Sequence, residues 1–291
     1  MIEVVLAGAL TTVQDLGRPG HAHLGVGRSG AVDRPSLRLA NRLVGNPEDA
    51  PALELTFGGL TLRAHDSVTV ALTGAPARLT LEGRPGAMHA AITVAAGETL
   101  EIGMPSRGVR TYLAVRGGLV CDRALGSAST DVLSGLGPPP VTDGVRFAVG
   151  RPTAPVPGVD VVPGRSWPVE PVLRLLRGPR DDWFAPEALE LLGSARFEAT
   201  PSSDRVGVRL DGPPLTRVRE GELPSEGMVE GAVQVPPDGH PVVFLADHPV
   251  TGGYPVVAVV HPDDVPVAAQ LRPGDGVRFR FVPGPVSPPL G

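Results

Sequence analysis

The sequence predicts a mainly β chain, built as two similar closed or nearly closed β-barrels with a few short helices. Three observations predict it. Glycine (38) and proline (34) are abundant in the 291 residues, so turns recur and long helices have little room. Short apolar or alternating runs rich in valine follow one another, bounded by Gly- or Pro-containing turns. One turn-strand pattern also occurs twice. Val94-Ala-Ala-Gly-Glu-Thr-Leu-Glu-Ile102 and Leu271-Arg-Pro-Gly-Asp-Gly-Val-Arg-Phe279 share an apolar start, a Gly-acid turn and an alternating strand.

The elements follow in chain order. A first strand is read ahead of the loop Thr11–Gly20. A helix is predicted after Asp33, a capping residue. Pro35 suits an early helical position, Leu37, Ala40 and Val44 recur at helical spacing, and Gly45 stops it. Strands are predicted at Leu60–Arg63, Ser67–Leu72, Ala77–Leu81 and Ala91–Val94. Residues 150–171, GRPTAPVPGVDVVPGRSWPVEP, break the periodicity. They divide the chain into an N-terminal domain (1–150), a Pro/Gly-rich linker (151–170) and a C-terminal domain (171–291). In the second part Trp183–Leu192 reads as a short helix, with Pro186 near its start and Gly193 at its end. Val242–Ala246 and Pro255–Val260 read as buried strands, and 262–270 as a short helix weakened by Pro266.

Composition narrows the function. A net charge of −5, a pI near 5.8 and no basic stripe argue against nucleic acid as a partner. The single Cys121 excludes an internal disulfide and is too few for a thiolate metal cluster. No leader-like or membrane-length apolar stretch is seen, so the expectation is a cytoplasmic chain without a membrane partner. All 26 basic residues are arginine. A lysine-free chain forms no Schiff base, has no Walker-type loop and carries no biotin of its own. Anions must then be met by arginine or by backbone N–H groups.

The stretch between 202 and 255 is densest in candidate chemistry, pairing charged groups with glycine in Ser202–Leu210, Leu223–Gly231, Ala232–Gly239 and Ala246–Pro255. On a strand, Arg205 and Arg209 would share a face fit to clamp a carboxylate or phosphate, with Asp204 on the other. Glu226 and Asp247 are acid/base candidates if burial tunes them. His248 sits beside Asp247 as a candidate orienting group. The alternative is a run of hairpin turns with solvated charges. Elsewhere Gln14, Asp15 and Arg18 cluster in a loop where Asp15 would pair with Arg18. Gly25–Asp33 offers an anion-binding nest, and His21-Ala-His23 reads as a surface loop rather than a metal site.

Taken together, TVQDLGRPG (12–20), SGAVDRPSLRLANRLVGN (29–46), ALELTFGG (52–59), YLAVRGGL (112–119), LGSASTD (125–131), SDRVGVRL (203–210), ELPSEGMVEGAVQVPPDG (222–239) and TGGYP (251–255) resemble the biotin-dependent carboxyltransferase / allophanate hydrolase subunit 2 family, over nearly the whole chain. Within it the pattern is most similar to the branch serving bacterial 5-oxoprolinase as its C-type subunit, related to antagonists of a sporulation-kinase inhibitor. The resemblance implies two tandem cyclophilin-like β-barrel domains. It implies an enzyme complex with two partners, one of the allophanate hydrolase subunit 1 type and one of the lactam-utilisation type. ATP with Mg would be shared with a partner, and 5-oxoproline opened to glutamate. Family members also act as carboxyltransferases on urea-like amides, or bind a kinase inhibitor without catalysis. The expected catalytic residues are Asp204, Arg205, Glu226 and Tyr254. The expected substrate-binding residues are Arg209, Gln234, Asp247, Thr251, Gly252 and Gly253, and no metal ligands are expected. Relatives usually read D-x-Q-T-T-G-G-Y-P; here Pro249 and Val250 replace the Gln and Thr, removing two polar side chains from the expected ligand edge.

Overall fold

The computed structural model describes residues 1–219, 221 and 223–283. Glu222, the first residue of the ELPSEG stretch, and 284–291, the end of the expected second domain, lie outside the described residues. The chain is mainly β and divides into two compact units. One holds Met1–His23 and Arg28–Trp167, the other Leu24–Gly27 and Pro168–Gly291.

The first unit is built from two sheets. A seven-stranded sheet runs in the order Leu119–Val120, Arg146–Val149, Ile2–Leu6, Leu60–Ala64, Thr99–Pro105, Ala77–Leu81, Arg84–Gly86. A five-stranded sheet runs Leu10–Gln14, Ala52–Thr56, Arg110–Val115, Val68–Gly74, Ala91–Val94. Ile2, Val4, Leu62 and Leu100 of the first join Val13, Leu53, Leu72 and Leu113 of the second in one core. The other face of the five-stranded sheet is covered by the helix Arg34–Leu43, through Leu37, Ala40 and Leu43 against Ala52, Ala71, Tyr112 and Ala114. A sheet covered on both faces has no solvent side, so Arg110–Val115 is buried throughout, without alternation.

The helix begins as the sequence predicts. Asp33 accepts from the Ser36 amide (3.2 Å) and hydroxyl (2.8 Å), and Pro35 lies in the first turn. Gly45 ends it at φ 71°, and a Cβ there would lie 2.4 Å from the Pro155 carbonyl oxygen. That contact belongs to residues 151–167. This Pro/Gly-rich stretch has no regular secondary structure, yet it is strapped to the first unit. Arg116 donates to the Ala154 carbonyl (2.7 Å), Val162 N to that of His89 (3.0 Å), and Arg107 to that of Trp167 (3.2 Å).

The second unit closes as a barrel in the order Val172–Arg177, Val256–Val260, Ala232–Gln234, Val242–Phe244, Gly207–Asp211, Arg196–Ala199, Gly276–Phe281. Its seam is the parallel pairing of Val172–Arg177 with Gly276–Phe281. Leu173, Leu175, Val208, Leu210, Val233 and Val277 are buried, and the Phe197 and Phe279 rings meet at 5.7 Å. The helix expected from Trp183 starts later, at Pro186, and runs to Ser194. A residue before proline is pushed to extended backbone, and Ala185 has ψ 152°, so Trp183 falls instead in a separate 3-10 turn, Asp181–Trp183. In the expected 262–270 helix only Val265–Ala268 is helical, with Pro266 in its first turn. No helix of the described residues is long and apolar enough to cross a membrane.

The repeated turn-strand pattern is repeated in three dimensions. Gly97 and Gly274 adopt φ 88° and 90°. Glu98 accepts from Ala95 N at 2.8 Å, as Asp275 does from Arg272 N at 2.8 Å. Gly97 N bonds Ala64 O and Gly274 N bonds Ala199 O, at 2.7 and 2.8 Å. Each turn thereby starts an antiparallel pairing, Thr99–Pro105 on Leu60–Ala64 and Gly276–Phe281 on Arg196–Ala199.

Candidate functional site

In the second unit, Arg205 lies two residues before the strand Gly207–Asp211 and turns its guanidinium inward. It donates to both Asp247 oxygens, at 2.8 and 3.0 Å, with the two side chains 1% and 0% exposed. Asp247 N returns a bond to Arg205 O at 3.1 Å. Arg209 lies on the strand and is exposed. The shared-face clamp expected from the even spacing therefore does not form, because Arg205 is off the strand and already neutralised. Asp204 caps the turn between them, its Oδ1 accepting from Val206 N (2.7 Å) and Gly207 N (3.1 Å).

Asp247 begins the loop that carries His248, Pro249 and Val250 into the short strand Thr251–Gly252. This strand pairs with Glu226–Gly227, placing Glu226 opposite Gly252. Val250 takes part through its backbone, accepting from Met228 N at 2.8 Å. Glu226 is gripped by Arg180, with Nε to Oε2 at 3.0 Å and Nη2 to Oε1. Beneath the hairpin lies a small apolar cluster of Met228, Ala232, Val242, Phe244 and Val256, with the His248 ring stacked on Phe244 at 6.1 Å.

Gln234 ties this floor to the loop. It is buried, and its Nε2 donates to the Tyr254 carbonyl at 3.1 Å. A Cβ on Gly252 would meet that nitrogen at 2.8 Å, whereas one on Gly253 would meet only Leu223 O, at 3.6 Å. A side chain at Gly252 would press on the ends of Gln234 and Met228, whereas one at Gly253 has room. Thr251 is exposed, and Tyr254 is 45% exposed. The Arg217 guanidinium lies 5.9 Å from the centre of that ring. The structure thus gathers Glu226, Gln234, Thr251, Gly252 and Tyr254 around one hairpin. Arg205 and Asp247 buttress its entry. Asp204 and Arg209 belong instead to the turn and strand of the barrel wall.

Arg180 and Arg217 were not visible as site residues in the sequence. Arg180 pairs with a glutamate 46 positions away, and nothing in GPRDDW signals it.

The first unit holds a separate buried polar network joining its most distinctive motifs. Asp15 accepts from Ser127 Oγ and Ser129 Oγ, both at 2.6 Å, and from Ala128 N and Gly17 N at 2.7 and 2.8 Å. The expected Asp15–Arg18 pair is not made. Arg18 instead donates to the carbonyls of Ala124 and Ser129 and lies 3.9 Å from Asp131. Gln14 bonds Thr12 and the Thr130 carbonyl. The anion nest expected at 25–33 is occupied from within: Ala31 N bonds Asp15 O, Val32 N bonds Glu54, and Asp33 N bonds the Tyr112 hydroxyl. That hydroxyl donates to Glu54 at 2.7 Å. Burial first, then the Glu54 charge, drives its pKa well above the phenol range. Among the described residues no His, Cys, Asp and Glu group forms a metal site.

A two-unit β chain with this closed barrel has solved counterparts among carboxyltransferase-type proteins. The crystal structure of TTHA0988 superposes with a TM-score of 0.87 at 40% identity, covering 96% of this chain and 56% of that one. Residues 24–281 match the family described as "Carboxyltransferase domain, subdomain A and B", and the chain belongs to that family. It is 36% identical to the C-type subunit of 5-oxoprolinase from Escherichia coli, over 96% of this chain and 90% of that protein. It is 34% identical to the urea amidolyase of Lachancea kluyveri over 95% of this chain, but spans only 17% of the amidolyase.

Proposed function

We propose that this chain is the C-type subunit of a 5-oxoprolinase. It works with two partner proteins, one of the allophanate hydrolase subunit 1 type and one of the lactam-utilisation type. Together they open 5-oxoproline to L-glutamate at the expense of ATP. The observation that carries this reading is reciprocal coverage. The 36% identity spans 96% of this chain and 90% of the Escherichia coli protein, whereas the amidolyase is matched over a small part of its length.

In the reaction, water adds to the lactam carbonyl and the ring C–N bond breaks, leaving the amine and new carboxylate of glutamate. ATP hydrolysis makes this uphill opening favourable. A lysine-free chain has no Walker-type loop, and the amides of Ala31, Val32 and Asp33 are already bonded. The reading therefore assigns ATP and its Mg to a partner protein. To this chain it assigns the lactam, against the hairpin bearing Glu226, Gln234 and Tyr254. Glu226 is positioned by Arg180 to hold a proton-accepting carboxylate at that edge.

Co-expression with the two partner types tests it. Glutamate should form from 5-oxoproline only when ATP is present. An assembled, folded complex that forms none ends the reading. The 34% identity to a urea amidolyase favours a second one, carboxyl transfer to a urea-like amide from biotin held on another protein. Urea-dependent capture of a carboxyl group from a biotinylated carrier would replace the first reading with the second.

A further inference from the structure

Arg217 is half-buried and differs from the ion-paired arginines around the second barrel. Arg174 is held by Asp264, Arg177 by Asp181, Arg180 by Glu226, Arg205 by Asp247 and Arg219 by Asp182. Arg217 has no such counter-ion among the described residues. Its Nη2 donates to the Val235 carbonyl, a neutral acceptor, and its Nε is buried without a partner. Burial pulls its pKa below the ordinary guanidinium value, and Asp238 acts on it only at longer range. One side of the residue faces the Tyr254 ring at 5.9 Å. It also lines a cleft of about 450 Å³, with Pro214, Thr216, Arg219 and Asp238 among the lining residues.

A half-buried cation has lost part of its hydration, and without a counter-charge that loss is uncompensated. The paired arginines solve the problem with carboxylates of the fold. Among the described residues Arg217 has no carboxylate of its own, and it lies beside the exposed ring of the candidate site. An aromatic face under a guanidinium holds the group's plane while leaving donors free for an anion.

We propose that Arg217, steadied by Tyr254, is the anion-recognition residue of this site, and that it takes the carboxylate of a small cyclic amide acid. This rests on the reading that the hairpin at Tyr254 receives the substrate. It also sharpens that reading. A neutral urea-like amide brings no charge to Arg217, whereas a pyrrolidone carboxylate does. Arg205 and Arg209, the arginines that the sequence favours for this role, are respectively neutralised by Asp247 and exposed on the barrel wall.

The test compares 5-oxoproline with 2-pyrrolidone, the same ring without its carboxylate. Calorimetric titrations use the full chain assembled with its two partner proteins, as wild type, Arg217→Gln and Arg217→Lys. The wild type should bind the acid about 10- to 100-fold more tightly than the lactam. Arg217→Gln should abolish that preference and leave lactam affinity unchanged, and Arg217→Lys should keep part of it. Equal affinities in the wild type, a preference that survives Arg217→Gln, or no binding of either probe overturns the proposal. If Arg217→Gln does not assemble, the Arg217→Lys titration decides: an undiminished preference counts against the guanidinium. An Arg217-dependent preference in a complex that makes no glutamate with ATP would sink the proposed function and leave the recognition site standing. Glutamate formation with an unchanged preference in Arg217→Gln would do the reverse.

Discussion

Arg205 and Asp247 form a two-bond ion pair, 2.8 and 3.0 Å long, sealed from solvent at the point where the barrel wall hands over to the loop bearing Thr251–Tyr254. Removing one partner strands a buried charge. Arg205→Ala or Asp247→Ala should each cost about 3–5 kcal/mol of unfolding free energy, read by urea denaturation. The double change Arg205→Met, Asp247→Leu should recover much of that loss. If the single variants unfold like the wild type, the pair does not hold the loop.

Tyr254 is the opposite case, an exposed ring with little packing to lose. Tyr254→Ala should change stability by less than about 0.5 kcal/mol. In the assembled complex it should lower kcat/KM by roughly 10- to 100-fold. Unchanged turnover would reduce the TGGYP turn to architecture.

Gly252→Ala places a methyl 2.8 Å from Gln234 Nε2 and 3.3 Å from the Met228 sulfur. The expected cost is about 1–3 kcal/mol. Because the nearest atom ends a side chain, adding Gln234→Ala should relieve part of it, as thermal melts of the single and double variants would show. Gly253→Ala should be milder, since the nearest atom there is 3.6 Å away.

Asp264 gives the second unit a pH dependence. Burial alone would raise its pKa, but hydrogen bonds and charge from Arg174 outweigh burial and hold it below the ordinary carboxylate value. A depressed folded pKa stabilises above the unfolded value of about 3.9 and loses that contribution as the pH falls through the folded one. Asp264→Ala should therefore cost about 1–2 kcal/mol at pH 7, with the difference from wild type shrinking below about pH 4. Denaturation midpoints across pH 2–7 would check the sign.

How far the sequence was legible depended on how local the signal was. The helix cap at Asp33, the strands Ala77–Leu81 and Ala91–Val94, and the repeated turns at Gly97 and Gly274 are specified by neighbours in the chain, and they fold as read. Ala185 and Pro186 moved a helix start because a backbone rule overrode an apolar pattern. The pairing of Arg180 with Glu226 and the lack of a counter-ion for Arg217 among the described residues are different in kind. Both are set by which side chains the closed barrel brings near, or leaves out, across tens of residues. Even spacing suggested that Arg205 and Arg209 act together, but the strand begins at Gly207, too late for both to share its face.

The barrel seam joins Val172–Arg177 to Gly276–Phe281, so the first strand of this unit waits for the last to be made. During translation Val172–Arg177 leaves the ribosome about a hundred residues ahead of its parallel neighbour, with one strand edge open throughout. Closure of the barrel thereby waits for the synthesis of Gly276–Phe281. Chains that stall before Gly276 carry an unlatched sheet, which quality control can recognise and remove.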